Sequence, residues 1–492
     1  MSPSIEPFVE AKYKALVDGL EISEIQYSAL ERTKRIDSEF YRKANLNVVD
    51  ILKSWNKVSF ADAFRVSDGN HMSISEYFSE SGVPYYRGQD IYKLFIEFAS
   101  PLSIPETIYN KPQMHRSHLK KGDVLVSIVG AIVGNSSIVT TDAKATCSCK
   151  LAILRSKNNG ILPEMLLVYI KTKYGQNQIQ KFKRGAAQTG ILLEDFDQLY
   201  IPIFGKELQS RIAKIIHLIY KIEIDALKQY KDAEALLLNN VGLPSISNQR
   251  KAISAKKLSE TLKINGRLDA EYYQPKYDII FKAIESKDTT SIPEEFEILK
   301  NMYTTYSEER DLVGVIKTKQ IEVPEIDTFG VESTISESSV VENNLNVLKN
   351  NDVVFAAMGV GSLGKTGIFQ NDEQRSFVTD STLRIFRKKS GGRVAPEILA
   401  LFLQSEIGQE LIYRYVVGST GIINIYDSDI ARIPIPLLSA DQQLQIIAKV
   451  QNAFMLRKKS KRLLDYSINA IEMAIEQGEE IALHWLYEKE AQ

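Results

Sequence analysis

Two stretches of the chain carry apolar residues at alternating three- and four-residue steps over many turns. In the first, Ile212, Ile215, Ile219, Ile222, Ala226, Ala233 and Leu236 recur on that step, with Gln229 at one seam position. In the second, the seam runs Ile447, Val450, Phe454, Arg457, Lys461, Leu464, Ile468, Ile471, Ile475, Gly478, Ala482 and Trp485. Such sustained alternation predicts coiled-coil packing rather than a helix lying on a sheet. At 1.5 Å per residue, helices of this extent run about 50–65 Å. The polar seam positions Gln229, Arg457 and Lys461 weaken the core locally and set register or face a partner. A hairpin with no further role is the plainer alternative.

Ahead of each long helix the pattern changes to short β-type runs broken by Gly, Asn and Asp. They are VPYYRGQDI and GDVLVSIVG before the first helix, VGVIKTKQI and NDVVFAAMG before the second. A helix is predicted to start at Pro163-Glu164 and another at Pro396-Glu397, proline suiting the first helical turn. Each region closes with a Gly-containing loop, a short helix and an IPI strand. Both therefore read as mixed α+β domains.

The two regions are copies. RIDSEFY from Arg35 returns as RLDAEYY from Arg267, an offset of 267 − 35 = 232. LKKGDVLVSIVG from Leu119 returns as LKNNDVVFAAMG from Leu348, 229 residues on. PEMLLVYIKTKYGQ from Pro163 returns as PEILALFLQSEIGQ from Pro396, and the IPI at Ile201 returns at Ile433. A period this long duplicates a whole domain with its connector and is not a solenoid repeat. The predicted division is an N-terminal extension (1–25), a first domain (26–203), a first long helix (204–240), a linker (241–257), a second domain (258–436) and a second long helix (437–488). The linker, VGLPSISNQRKAISA over most of its length, holds Gly, Pro, Ser and Asn without periodicity.

Composition narrows the classes. The 492 residues are 44% hydrophobic and 25% charged with a formal net charge of −1, so any nucleic-acid contact must come from local clusters of basic residues. Two cysteines, Cys147 and Cys149, stand too close for an ordinary disulfide, which favours a reducing compartment. The opening MSPSIEPFVEAKYK does not read as a signal peptide, and no stretch reaches the roughly 18 apolar residues of a membrane span. A soluble, cytoplasmic protein without membrane association is expected.

Candidate chemistry is sparse. Gly359-Val360-Gly361-Ser362-Leu363-Gly364-Lys365-Thr366 matches GxxxxGK(S/T), the basis of an alternative reading as a P-loop nucleotide-binding protein. A phosphate loop requires a helix directly after it, because the helix N-terminus supplies the amides. The following residues, GIFQND, read as a strand and a turn, and the first copy has Asn135 where Lys365 stands. Cys147, Cys149, His115 and His118 can be assembled into four zinc ligands, but the second copy has no equivalents and a pair of core thiols is the simpler reading. His71, His217 and His484 are isolated. No methyltransferase signature of the Asn-Pro-Pro-aromatic or Pro-Cys type is present, so no catalytic or metal-binding residue is assigned, and no cofactor is expected in this chain.

Possible DNA contacts recur in both copies. Arg87 and Gln89 align with Lys317 and Lys319; Lys181, Lys183 and Arg184 precede the loop Gly185–Gly190, which contains Gln188 and Thr189. The matching loop carries Ser419 and Thr420 and leads to Asn424. Arg and Lys pair guanine, and Gln and Asn pair adenine, in the major groove, while small residues let backbone approach phosphate. Lys121 and Lys365 are phosphate-contact candidates. For each, a solvated surface side chain is the competing reading.

On the RGQDI block at Arg87–Ile91, the LKKGDVLVSIVG block, the Gly-rich loop leading to LYIPI at Leu199–Ile203 and the duplication itself, the chain resembles the specificity subunits of Type I restriction-modification systems. The resemblance runs from about Arg35 to the C-terminus. It implies two similar mixed α/β target recognition domains, each reading half of a split double-stranded DNA site. Two long helices would separate them as an antiparallel coiled coil, in pseudo-twofold arrangement, with Ile215, Ile219, Ile222, Leu464, Ile468, Ile471 and Ile475 in the seam. It further implies two methylation (M) subunits with AdoMet that modify adenine, and motor-nuclease (R) subunits using ATP and Mg. The specificity subunit of another bipartite restriction or phage-defence system is a close alternative. A coiled-coil scaffold without a DNA role is a more distant one.

Overall fold

A computed structural model describes residues 9–490 apart from 29, 31–34, 80, 158–159, 186–188, 243–254, 260, 262–266, 303–311, 329, 372–374 and 419–421. The chain divides into two compact units, one of residues 1–222 with 459–492 and one of 223–458.

The first unit contains helices α1 (Glu10–Val17), α2 (Lys43–Lys53), α3 (Pro163–Lys171) and α4 (Lys173–Phe182). Its strands are β1 (Lys57–Ser59), β2 (Phe64–Asp68), β3 (Val83–Tyr86), β4 (Leu102–Ile104), β5 (Val124–Ser127), β6 (Ser136–Ile138), β7 (Thr146–Cys147), β8 (Leu151–Ser156) and β9 (Tyr200–Pro202). An antiparallel sheet runs β2-β8-β5-β6, a second sheet runs β4-β3-β7, and β1 pairs with β9. The apolar runs VLVS and LAIL are buried on both faces of the first sheet, which is why they are continuous rather than alternating. In α3 every residue from Met165 to Ile170 is buried, as a helix apolar all round must be.

The second unit repeats this plan. Its strands are β10 (Thr289–Ser291), β11 (Phe296–Leu299), β12 (Val313–Ile316), β13 (Ile321–Glu322), β14 (Glu325–Ile326), β15 (Thr334–Ile335), β16 (Val353–Ala356), β17 (Thr366–Ile368), β18 (Phe377–Thr379), β19 (Leu383–Lys388) and β20 (Pro434–Pro436). The order β11-β19-β16-β17 reproduces β2-β8-β5-β6, and β15-β12-β18 reproduces β4-β3-β7. Even the parallel pairing survives, β3 with β7 and β12 with β18. The difference is a hairpin, β13–β14, added beside β17. In the first unit that edge carries, among the described residues, a parallel bridge of Phe95 to Ile138. Packed on the second sheet are α6 (Pro275–Glu285), α7 (Pro396–Gln404) and α8 (Glu406–Arg414).

Repeated sequence blocks correspond to repeated contacts. Arg35 pairs with Asp37 and donates to the carbonyls of Phe182 and Lys183; Arg267 pairs with Asp269 and donates to those of Tyr415 and Val416. Each arginine thus pins the opening motif to the C-terminal end of the last short helix.

The long helices are α5 (Lys206–Val241) and α9 (Ala440–Gln477), followed by α10 (Glu479–Glu490). In the first unit the start of α5 lies with the end of this series: the Gly205 N–H donates to Glu479 at 2.7 Å and the Tyr487 hydroxyl to Glu207 at 3.2 Å. In the second unit the end of α5 lies with the start of α9, where Ala233, Leu237 and Val241 share a core with Ile446 and Val450. Early with late, and late with early, is the antiparallel order.

Two seam expectations are corrected. The second helix does not continue to Trp485; it breaks at Gly478, whose φ of 103° is left-handed, and α10 folds back so that Trp485 meets Tyr466 edge-on. The buried stripe of α9 also lies about one position earlier than the large apolar residues suggest. Leu463, Ser467, Ala470 and Ala474 are buried beside Ile471 and Ile475, whereas Leu464 and Ile468 are half-exposed. Three of these buried positions, Ser467, Ala470 and Ala474, are small residues. On α5, Ile215, Ile219 and Ile222 are buried as the spacing predicts.

Candidate nucleic-acid interface

In each unit four loops are tied together at one end of the main sheet by backbone hydrogen bonds. In the first unit the turn after β5 receives the Gly-rich loop: the Gly130 N–H donates to Thr189 O at 2.8 Å and Ile191 N–H to Ile128 O at 3.0 Å. The Ile128 N–H donates to Lys150 O, and Ser148 N–H to Tyr86 O, which fastens the turn before β8 and the RGQD turn to the same place. The second unit makes the same set: Gly359 to Ile423 O, Ile425 to Ala357 O, Ala357 to Thr382 O and Asp380 to Ile316 O. Loops held this way present side chains from a rigid base.

The predicted contact residues sort into those engaged within the chain and those that face outward. Arg87 holds the buried Asp90 at 3.1 and 3.3 Å, and the Asp90 carboxylate also caps the Arg87 N–H at 2.8 Å. Arg184 pairs with the buried Asp195, whose carboxylate caps Leu192 N–H at 2.7 Å. Both arginines shape turns. Lys181 is buried with its ammonium over the Phe40 ring. Gln89, between Arg87 and Asp90, is exposed, and so is Lys150 across from it. Lys183 is half-buried, and Thr189 holds its hydroxyl 3.5 Å from Gly130 O. In the second unit, Lys317 lies beside Asp380, whose carboxyl is held above its usual range by burial. Lys319 is exposed and pairs with Glu332 at 2.8 Å, an ion pair that holds the Glu332 carboxyl below its usual range. Asn424 exchanges both backbone hydrogen bonds with Val417. Gln188, Ser419 and Thr420 lie outside the described residues.

The sequence pattern does not single out Lys150, which follows two cysteines. The usable signal is a lysine in the turn between two apolar strands. Nor does the pattern single out Asp90 and Asp195 as partners of the arginines, although each stands in the same short segment as a cap.

The nucleotide reading of 359–366 does not survive. The segment is a tight turn between β16 and β17, and Thr366 opens a strand, so no helix N-terminus faces it. The Gly364 carbonyl is taken by Gln404 and Gln409, and the buried Thr366 hydroxyl donates back to it. The zinc assembly fails as well. His118 stacks on Tyr109 at 3.8 Å and bonds its carbonyl, burial pushes the Cys147 thiol up, and the described residues contain no group of three or more potential metal ligands. Among the described residues no helix is long and apolar enough to cross a membrane.

Residues 53–235 match the sequence model of the Type I restriction modification DNA specificity domain. The matched span holds the whole first-unit loop set, from the RGQD turn to the Gly-rich loop, and reaches into α5. The second unit repeats the strand order of the matched span without being covered by the match. Over 168 residues the chain is 26% identical to the Type I restriction enzyme EcoBI specificity subunit of Escherichia coli, covering 34% of this chain and 32% of that protein. The chain thus matches about a third of this relative's length. Solved structures of similar plan include the Type-I restriction-modification system S subunit from M. genitalium. It is 13% identical at a TM-score of 0.35, with 88% of this chain and 96% of that one covered. Another is the HsdS subunit from Thermoanaerobacter tengcongensis, 16% identical at a TM-score of 0.28, covering 86% and 97%. At these scores the description of the fold rests on the strand registers given above.

Proposed function

We propose that this chain is the DNA-specificity subunit of a Type I-like restriction-modification complex in the cytoplasm. The observation that carries the reading is the twice-built loop set, one copy of it inside the span that matches the model of a DNA specificity domain and the other reproducing its strand order in the second unit. Each unit reads half of a bipartite site in double-stranded DNA, with the antiparallel helices α5 and α9 as the spacer. The overall charge of −1 leaves phosphate attraction to local cations such as Lys150, Lys183 and Lys317. Base discrimination falls to outward side chains such as Gln89 and Asn424.

The chain is not itself an enzyme in this reading. Two methylation subunits carry AdoMet and modify adenine where this chain directs them, and motor-nuclease subunits supply ATP- and Mg-dependent restriction. The test is to map methylated adenines in a host carrying the chain and its partners. A two-part motif with a fixed unread gap is expected. A continuous motif, or methylation unchanged by deletion of this chain, would reject the reading.

A further inference from the structure

The two loop sets differ at their tips. In the second unit, Val360 and Ile422 are 63% and 70% exposed, with Met358 and Tyr426 at 36% and 56%. They sit together: Met358 and Asn424 form an antiparallel bridge, and the Gly359 N–H donates to Ile423 O at 2.9 Å, which leaves Val360 and Ile422 as neighbours at one edge. The turn beneath them is rigid. Gly359 and Gly361 adopt φ of 106° and 73°, Leu363 is buried, and the Gly364 carbonyl is fixed by two glutamines. In the first unit the equivalent of Val360 is Ala131, and the equivalent of Ile422 is Gln188.

Single exposed apolar residues need no explanation, but a cluster on a rigid projection does. A projection of these four side chains is far too small for a stable protein interface, which needs on the order of 1,000 Å². It does match a methyl group. In the major groove thymine presents its 5-methyl, and apolar side chains recognise it by contact. The exposed Lys365 and the half-buried Asn424 flank the same edge, supplying a cation for phosphate and an amide for a base. We propose that Val360 and Ile422 read thymine methyl groups in the half-site of the second unit, whereas the first unit reads its half-site by polar contacts. This rests on the specificity reading above.

The test uses the full chain assembled with its methylation subunits, and the half-site assigned to the second unit by exchanging residues 258–436. Each thymine of that half-site is replaced in turn by deoxyuridine, which deletes the methyl and keeps the base pair. At least one replacement should weaken binding about three- to fivefold, the worth of one buried methyl. The same replacement should be silent in a Val360→Ala/Ile422→Ala variant. Folding of that variant is checked by unchanged discrimination at the other half-site. Uracil-insensitive binding by the wild type, or an effect that persists in the double variant, overturns the inference. Lost assembly with the methylation subunits in the variant would also overturn it, by making the tip a protein contact. Wild-type assemblies without any sequence preference would instead remove the specificity reading, and this inference with it.

Discussion

Arg155 grips the buried carboxylate of Asp123 through hydrogen bonds of 2.7 and 2.6 Å, and Arg387 grips Asp352 in the same way at 3.0 and 2.7 Å. Each guanidinium also reaches the carbonyl of the residue before the repeated Leu-Lys, His118 or Val347, and each carboxylate caps the Lys120 or Lys349 N–H at 2.8 Å. The carboxylates are 1% and 3% exposed, so their charge is tolerated only because it is paired. Asp123→Ala leaves the partly exposed Arg155 with only the His118 carbonyl and uncaps the Lys120 N–H, and should cost about 2–3 kcal/mol. Hydrogen exchange should show β5 and β8 losing protection while β16 and β19 keep theirs. Equal loss in both units would refute the local role.

The helix junctions differ in charge. In the first unit Lys173 meets Glu476 at 2.5 Å and the Tyr174 hydroxyl donates to it at 2.8 Å, so the Lys173 ammonium holds the Glu476 carboxyl low. That contribution is present at neutral pH and is lost as pH falls through the depressed value. In the second unit Glu234 is held above the usual carboxylate range, first by burial and then by Glu406. Its folded form takes up a proton more readily than the unfolded chain, so a penalty exists at neutral pH and fades in acid. Glu234→Gln should raise the melting temperature at pH 7 by an amount worth less than about 1 kcal/mol. The gain should shrink toward pH 4. A gain that grows in acid would contradict the assignment.

Gly175 and Gly408 sit where two short helices abut behind a Thr172 or Ser405 cap. A methyl there would run into the carbonyl oxygen of Tyr169 or Phe402, both of them backbone. Gly408→Ala should destabilise the second unit by about 1–3 kcal/mol, read from urea unfolding. A neutral result would mean that the two helices separate freely.

Because a strand follows Lys365, the isolated chain should show no ATP binding by calorimetry. Lys365→Ala should leave assembly with the methylation subunits unchanged. Saturable micromolar binding lost in the variant would restore the nucleotide reading.

How much of this was legible depended on what repeats. Arg35 and Arg267 stand out as repeated residues, and the structure gives both the same work of fastening the domain opening to a distant loop. The copies therefore announced the fold class. The loop set was legible as places but not as roles: Arg87 and Arg184 look like DNA contacts until Asp90 and Asp195 are seen beneath them. Seam register escaped because periodicity favours bulk, so Leu464 and Ile468 drew the line that Ser467 and Ala470 occupy. The outward Val360 hid inside a motif that pointed to phosphate.

The central claim is that the two like-built units read independently. Its most direct test replaces residues 35–203 with the corresponding domain of a different specificity subunit and maps methylated adenines again. One half of the motif should change while the other half and the gap between them stay as they were. A change in both halves, or in neither, would contradict it.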